Sequence, residues 1–571
     1  MRGLCLLVLL AGCPPAEPVG HDPSDPHVDG FDPPTFTCDP AAAPVASPLR
    51  RLSQPAYVNT VRALAGAFDH DDLRDALLAA VTEPLAAVPA DTGEQPRLDQ
   101  LVGDDHVTAY YHVGDAFGRA LVAEDWRVQA ALGDCAVDWD SSNDRACVEA
   151  FIRDFGARVT RRPVPDAEVA FLMDEVFQAD DLDRDSLAAL VTVLLSSPHM
   201  LYHLEDGAAP VDGRDDLAEL SAFELANRLA YHFWQAPPDD ALLAAAADGS
   251  LLDDAVYAAQ LDRVSRDPRT AAATEALFTA WLHTDALRPF DGLANDPRYA
   301  AFAGEDAPAP GLRERMLADA ADLVHYEVAR DGTLDDLFRT TAIVTRDPDV
   351  AALYDSYPWD GASEPDHDPA RYGILTRPAL VAAGSHLTQP IHKGVRIRRH
   401  ILCDTVGAPP ADLGDLPTID ERSTRRSQTE QLTEREGTSC LNCHQRTNPL
   451  GYATEDFDAL GRFRTEETIY AEDGAVLDRL PVDTSAVPRL DAYDVEPVAG
   501  AEGLSERIIA SGKHHACFAR FAVRHVTARL EDEVADGCWL ESIREDLADG
   551  RPLVEALRDV AARPEFRLKA L

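Results

Sequence analysis

Cys440, Cys443 and His444 stand in the order CxxCH. Thiols three residues apart lie about one helical turn from each other, a spacing that reaches two vinyl groups on one porphyrin edge. The adjacent imidazole then falls beneath the iron as proximal ligand. With 10 Cys and 18 His in 571 residues, random placement yields this pattern about 0.005 times per chain. The chemistry expected is therefore covalent attachment of haem c, with His444 on the metal. Two other uses of the same atoms compete with it. Cys440 and Cys443 could be bonded to each other, or zinc could be held by Cys403, Cys440, Cys443 and His444. No second CxxC or HxxxH completes a familiar finger for the zinc reading.

The four methionines, Met1, Met173, Met200 and Met316, all precede His444. An axial methionine downstream of the motif is thus excluded. The sixth iron position falls to a histidine, an upstream methionine or a small ligand. The candidate histidines are His386, His392, His400, His514, His515 and His525. Two protein ligands favour outer-sphere electron transfer, whereas an open position admits peroxide or another small molecule. Arg462 and Arg464 follow the motif and suit propionate carboxylates, although the abundant acids of this chain compete for them. Gly451 and Gly461 are expected to mark tight turns.

The N-terminus supplies an address compatible with haem attachment outside the cytoplasm. Arg2 precedes an apolar run from Leu4 to Leu10, and Leu10-Ala11-Gly12-Cys13 follows. That order is the order of a cleaved export signal, 1–12, and the run is too short for a permanent span. A cysteine directly after Ala-Gly resembles the lipobox of bacterial lipoproteins, so Cys13 is expected to carry lipid and tie the chain to a membrane. Residues 13–47, rich in proline, are expected to form an extended tether. In an oxidising compartment unpaired thiols are rare. Cys135 with Cys147, and Cys517 with Cys538, are the expected local disulfides, although sequence does not fix connectivity.

Composition limits what surrounds the motif. Lys plus Arg number 52 against 100 Asp plus Glu, a formal charge of −48. Such a surface excludes a general nucleic-acid binder and electrostatic docking on anionic lipid. Apolar residues make up 46% and aromatics 7%, which supplies a core and leans towards helix. The fold expected is mainly α: several consecutive small helical domains, with a cytochrome-c-like CxxCH module towards the C-terminal third. Ser221 and Glu224 form a capping box. Leu220, Phe223, Ala226, Ala230 and Phe233 follow on one face, and Pro237-Pro238 ends the run. Helices are also expected at 239–247, 516–530, 538–547 and 553–562, with short strands near 475–487. Linkers are expected at 206–216 and 358–369, and 405–438 shows no sustained helical period. The resulting division is 48–134, 135–206, 217–357, 370–488 with the CxxCH, and 500–571. No GxSxG, HExxH, Walker A or complete calcium loop appears, and no carboxylate pair stands out as a hydrolytic dyad.

Several segments together resemble a known family. They include Ser47-Pro48-Leu49-Arg50-Arg51-Leu52, Arg161-Arg162-Pro163, Ser197-Pro198-His199-Met200-Leu201-Tyr202 and Glu224-Leu225-Ala226-Asn227-Arg228. Arg371-Tyr372-Gly373-Ile374-Leu375-Thr376 and the stretch from Cys440 to Arg464 complete the set. From about Ser47 to Leu571 the chain resembles large secreted, cytochrome-like proteins built from consecutive planctomycete-specific domains of unknown function, also common in myxobacteria. The resemblance implies a helical, exported protein with a c-type haem module, and it implies no particular reaction. Asn448 stands where that family commonly has Asp, and Gln389 where Ser is usual. Two functions follow as expectations. One is a lipid-anchored haem protein that carries electrons to a redox partner or serves as the haem part of an oxidoreductase. The other is a non-catalytic surface lipoprotein that binds a partner or polymer, its CxxC a structural disulfide.

Overall fold

Helices dominate because alanine and leucine recur at steps of three and four with acids at their starts, which complement the helix dipole. The structure is a computed structural model; it describes residues 31–46, 48–138, 140–293, 295–304, 310–407, 417–435 and 439–571. The signal segment 1–12, Cys13 and the first half of the tether lie outside the described residues. Among those described, no helix is long and apolar enough to cross a membrane.

Ser221 caps the helix Ala222–Trp234, with Glu224 completing the box, and Asp239 caps Asp240–Ala247. Residues 52–200 form one apolar core, around Tyr57, Val61, Leu77, Phe117, Phe155 and Leu190. Its central crossing, between Asp104–Leu121 and Arg184–Leu195, is close because Gly118 lies against the backbone of Ala188. A second core begins at Leu220 and runs through Trp281, Phe338, Ile397, Leu450 and Phe518 to Phe566. Packing thus joins the segments 217–357, 370–488 and 500–571 in a single interior.

Two of the small sheets include segments expected as linkers, and another includes Val476–Pro481, within the stretch 475–487 where short strands were expected. Within 206–216, strand Ala209–Val211 turns through Gly213 into Arg214–Glu219, which also pairs with the C-terminal strand Leu568–Ala570. Gly213 has φ +78°, the left-handed geometry of an Asp-Gly hairpin turn. Asp366–His367, inside 358–369, pairs with Ala342–Ile343. Glu466–Tyr470 and Val476–Pro481 form a hairpin. Within 405–438, Arg425–Thr433 is helical; its buried residues are Gln428, Thr429 and Thr433. Polar groups mark its inner face, so apolar periodicity could not reveal it.

Two further expectations are corrected. The tether does not stay free to residue 47. Phe36 is buried in the second core, and Cys38 is bonded to Cys538 across 500 residues. Phe31 meanwhile lies against the cationic groups of Arg398, Arg446 and Lys513. Cys517 does not pair with Cys538 but with Cys403, at a Cα separation of 5.2 Å. Cys517 is on the inner face of the helix Lys513–Thr527, towards the turn at Cys403, while Cys538 starts the next helix and faces the N-terminal strap. Proximity in sequence put the two cysteines on different faces. Cys135 and Cys147 are bonded to each other.

Candidate functional site

The CxxCH motif opens the helix Ser439–Tyr452. Cys440 and Cys443 are free thiols, half-buried and exposed respectively, whereas the other six described cysteines are all disulfide-bonded. Cys403 is therefore committed elsewhere, and the four-ligand zinc set built on it is not assembled. Both thiols and His444 line one cavity of about 550 Å³. Its walls include the apolar side chains of Leu287, Leu380, Ile391 and Val395, with Arg288 and Arg399 among its cationic groups. A mostly apolar pocket with a few convergent polar groups is the usual form of a cofactor site.

A glycine pair brings together two of the helices that line this cavity. A Cβ on Gly394 would fall 1.9 Å from the Thr447 carbonyl oxygen, and one on Gly451 would fall 2.0 Å from that of Pro390. The helices Pro390–Arg396 and Ser439–Tyr452 accordingly cross in backbone contact. Gly451 thus serves a crossing within a helix rather than the expected turn, while Gly461 at φ +83° does sit in a turn. Lys393 Nζ lies 2.7 Å from Glu455 Oε1 with both side chains buried, and Thr388 donates to Glu455 Oε2 at 2.6 Å. Burial works against the Glu455 charge, but Lys393 and Arg464 outweigh it and hold the carboxyl below its ordinary value. The pair bolts one helix to the chain that leaves the other.

His444 is oriented through a relay. Asn448 Nδ2 donates to Thr433 Oγ1 and to Glu434 Oε1, both at 2.9 Å. The acceptors fix the amide, so its Oδ1 faces His444 Nδ1 at 3.0 Å. Nδ1 must then carry the proton and donate, which leaves the Nε2 lone pair for a metal. Tyr452 donates to the same Glu434 oxygen at 2.7 Å. The departure at Asn448 therefore keeps an oxygen acceptor for the imidazole.

The structure sorts the candidate histidines. His392 and His400 line the CxxCH cavity. His386 lines a different cavity, with Arg425 and Glu467. His514 and His515 both meet Asp335, and His525 is buried beside His232. Sequence reasoning missed His283, whose ring stacks on His400 at 4.5 Å, with Glu94 beside the pair. His283 ends the helix Thr270–Leu282 in the left-handed region at φ +50°, and no spacing in the sequence marks it. Burial, with His283 and Arg396 adding to it, pushes His400 down to about 3 and keeps its imidazole neutral. Arg462 and Arg464 do not reach the cavity. Arg462 is bonded to Asp458 at 2.7 Å and to the carbonyl of Phe302, and Arg464 to the carbonyl of Glu455.

The donor set fits a covalently held haem on the chain's own evidence: two unpaired thiols, an imidazole in the ligating tautomer and an adjoining apolar cavity. Comparison with known families finds two matches. Residues 220–355 match PSD4, a protein of unknown function (DUF1592), and residues 371–467 match PSCyt3, a protein of unknown function (DUF1588). The second match contains the CxxCH. No curated protein and no solved structure matches the chain.

Proposed function

We propose that the chain is an exported, lipid-anchored c-type haem protein that carries electrons, on its own or as the haem part of an oxidoreductase. The observation that carries this reading is the pair of unbonded thiols, Cys440 and Cys443, on the wall of a cavity shared with His444. In a protein whose other described cysteines are all paired, a merely structural CxxC would be expected to close as well. Cys440 and Cys443 would hold the porphyrin through thioethers and His444 Nε2 would bind its iron. A haem so held would supply one-electron redox chemistry, at a potential set by the residues around it.

The protein's own groups then have separate tasks. Asn448 and Glu434 keep the proton on His444 Nδ1. Leu287, Leu380 and Val395 exclude water from one side of the cavity. His392, His400 and His283 are the imidazoles of this cavity from which a second axial ligand would come. The charge of −48 favours a basic redox partner, met through complementary fields. Cys13, once lipidated, would hold the assembly at a membrane surface.

The test is production in a host with haem-attachment machinery. Colour that survives denaturation and acid extraction, with a mass increase of one haem, is expected of the wild-type chain. Cys440→Ala with Cys443→Ala should lose both. A colourless mature protein with two alkylatable thiols, or one in which these sulfurs are joined, would leave the non-catalytic lipoprotein. Cys13→Ser should release the chain from the membrane fraction.

A further inference from the structure

Asp335 lies in the first turn of the helix Leu334–Arg339. His514 and His515 lie in the first turn of Lys513–Thr527, which follows Gly512. Consecutive residues on a helix are turned about 100° apart and do not normally face each other. Here the two Nε2 atoms nevertheless converge on one oxygen, each 2.8 Å from Asp335 Oδ1. The rings stand 3.8 Å apart. The His514 side chain is fully buried, that of His515 is 6% exposed, and that of Asp335 is 27% exposed.

We propose that Asp335, His514 and His515 form a binding site for a divalent first-row transition ion of the Zn²⁺ type. Two imidazoles and one carboxylate are the donor set such ions take when one position is left to water or another small ligand. The three ligand atoms lie within 4.8 Å of one another. Bonds of 2.0–2.1 Å in a tetrahedron would set ligand atoms about 3.3 Å apart, so each 2.8 Å histidine–carboxylate distance need open by only about half an ångström. In the metal-free state each Nε2 carries a proton to donate to Asp335; on binding, each ring's proton moves to Nδ1 and the ion takes the freed Nε2 lone pair.

The charges around the trio suit a dication. Arg339 approaches Asp335 Oδ2 at 3.6 Å, but Glu506 holds that guanidinium through two bonds of 2.7 and 2.9 Å. Asp335, Arg339 and Glu506 together leave one net negative charge beside the two imidazoles. The part-exposed edge at Asp335 gives an entry path. Bound there, the ion would tie the first matched family segment to the C-terminal helix, near the bond between Cys403 and Cys517. The site is separate from the CxxCH cavity and does not depend on the haem reading.

The experiment uses the full chain carrying Cys440→Ser and Cys443→Ser, which removes competing thiolates, after treatment with chelator. Titration with Zn²⁺ by calorimetry and with Co²⁺ by visible absorption should show one tight site, free of thiolate charge-transfer bands. Asp335→Asn should weaken it on the order of 100-fold. Glu94→Gln, at the His283–His400 pair, should leave it unchanged. If Asp335→Asn lowers the metal-free Tm, His515→Gln at the rim carries the same test. No tight site, or one indifferent to both substitutions, or one lost in Glu94→Gln instead, would overturn the proposal.

Discussion

Residues 52–200 and the region around the CxxCH cavity are both helical, yet they are held together differently. In the first, the innermost side chains are Tyr57, Val61, Leu73, Leu77, Val113 and Phe117, and its disulfide spans 12 residues. In the second, Arg371, Arg377 and Arg398 are among the largest fully buried side chains, and disulfides span 114 and 500 residues. Arg371 donates to the carbonyls of Gly461 and Leu353, and Arg398 pairs with Asp404 at 2.8 Å. A solid core needs only apolar residues at helical spacing. A cavity of about 550 Å³ with apolar walls tends to collapse, and directional ties between distant segments hold its walls apart.

The disulfides offer the largest way to break this comparison. In the chain-entropy account, a bond closing 114 residues is worth about 5 kcal/mol and one closing 12 about 3 kcal/mol. Cys403→Ser with Cys517→Ser should therefore destabilise more than Cys135→Ser with Cys147→Ser, measured by denaturant unfolding. Equal losses would show that the cavity region gains nothing from its long ties. The buried ions come next. Lys393→Ala removes the nearer of the two cations that hold the buried Glu455, leaving Arg464, and should cost up to about 3–5 kcal/mol. Arg119→Ala, which breaks an exposed pair with Asp115 in the first region, should cost less than about 1 kcal/mol.

The same contrast explains what could be read from sequence. The helix Ala222–Trp234 was legible because its cap, its face and its stop are all local: Ser221 with Glu224, Leu225 to Phe233, then Pro237-Pro238. The helix Arg425–Thr433 was not, because its buried residues are polar: Gln428 donates to the carbonyl of Ser423 just before the helix, and Thr433 accepts from Asn448. Of the site, CxxCH announces itself by spacing alone. His444 and Asn448 stand at the helical i,i+4 spacing, but the link from Asn448 to Glu434 has no spacing rule, and His283 meets His400 across 117 residues of chain. Cys517 found Cys403 rather than Cys538 for the same reason. Contacts made by folding back over a hundred residues leave no period to read.

Glycine notches sharpen the comparison at smaller cost, because both regions use them. Gly394→Ala would press a methyl on the Thr447 carbonyl, and Gly118→Ala would press one on that of Ala188, 2.5 Å away. Each should destabilise by about 1–3 kcal/mol in thermal or denaturant unfolding. Their functional outcomes should differ. Gly394→Ala shifts the CxxCH helix against the cavity wall and should reduce the haem-bearing fraction, whereas Gly118→Ala should leave that fraction unchanged. A matching loss in both would mean that stability alone governs attachment.

An effect that is absent at neutral pH belongs to the seam between the two regions. Arg97, from the first, donates to the carbonyl of His525, from the second, at 2.9 Å, and His232 lies with its ring centroid 5.8 Å from that of His525. Burial, reinforced by Arg97, holds both imidazoles below their ordinary value, His232 at about 3. The unfolded chain therefore accepts a proton near pH 6.5 that the folded chain refuses until about pH 3. Stability rises with pH wherever the unfolded chain binds more protons, so this contribution is whole above pH 6.5 and drains away as the pH falls through that window. The slope is at most about 1.4 kcal/mol per pH unit for each histidine. His232→Phe keeps a ring beside Phe566 and removes one titrating group. Its stability should fall less steeply than the wild type's between pH 6.5 and 4, with the difference vanishing above pH 7. Parallel profiles would show that His232 takes no part in acid sensitivity.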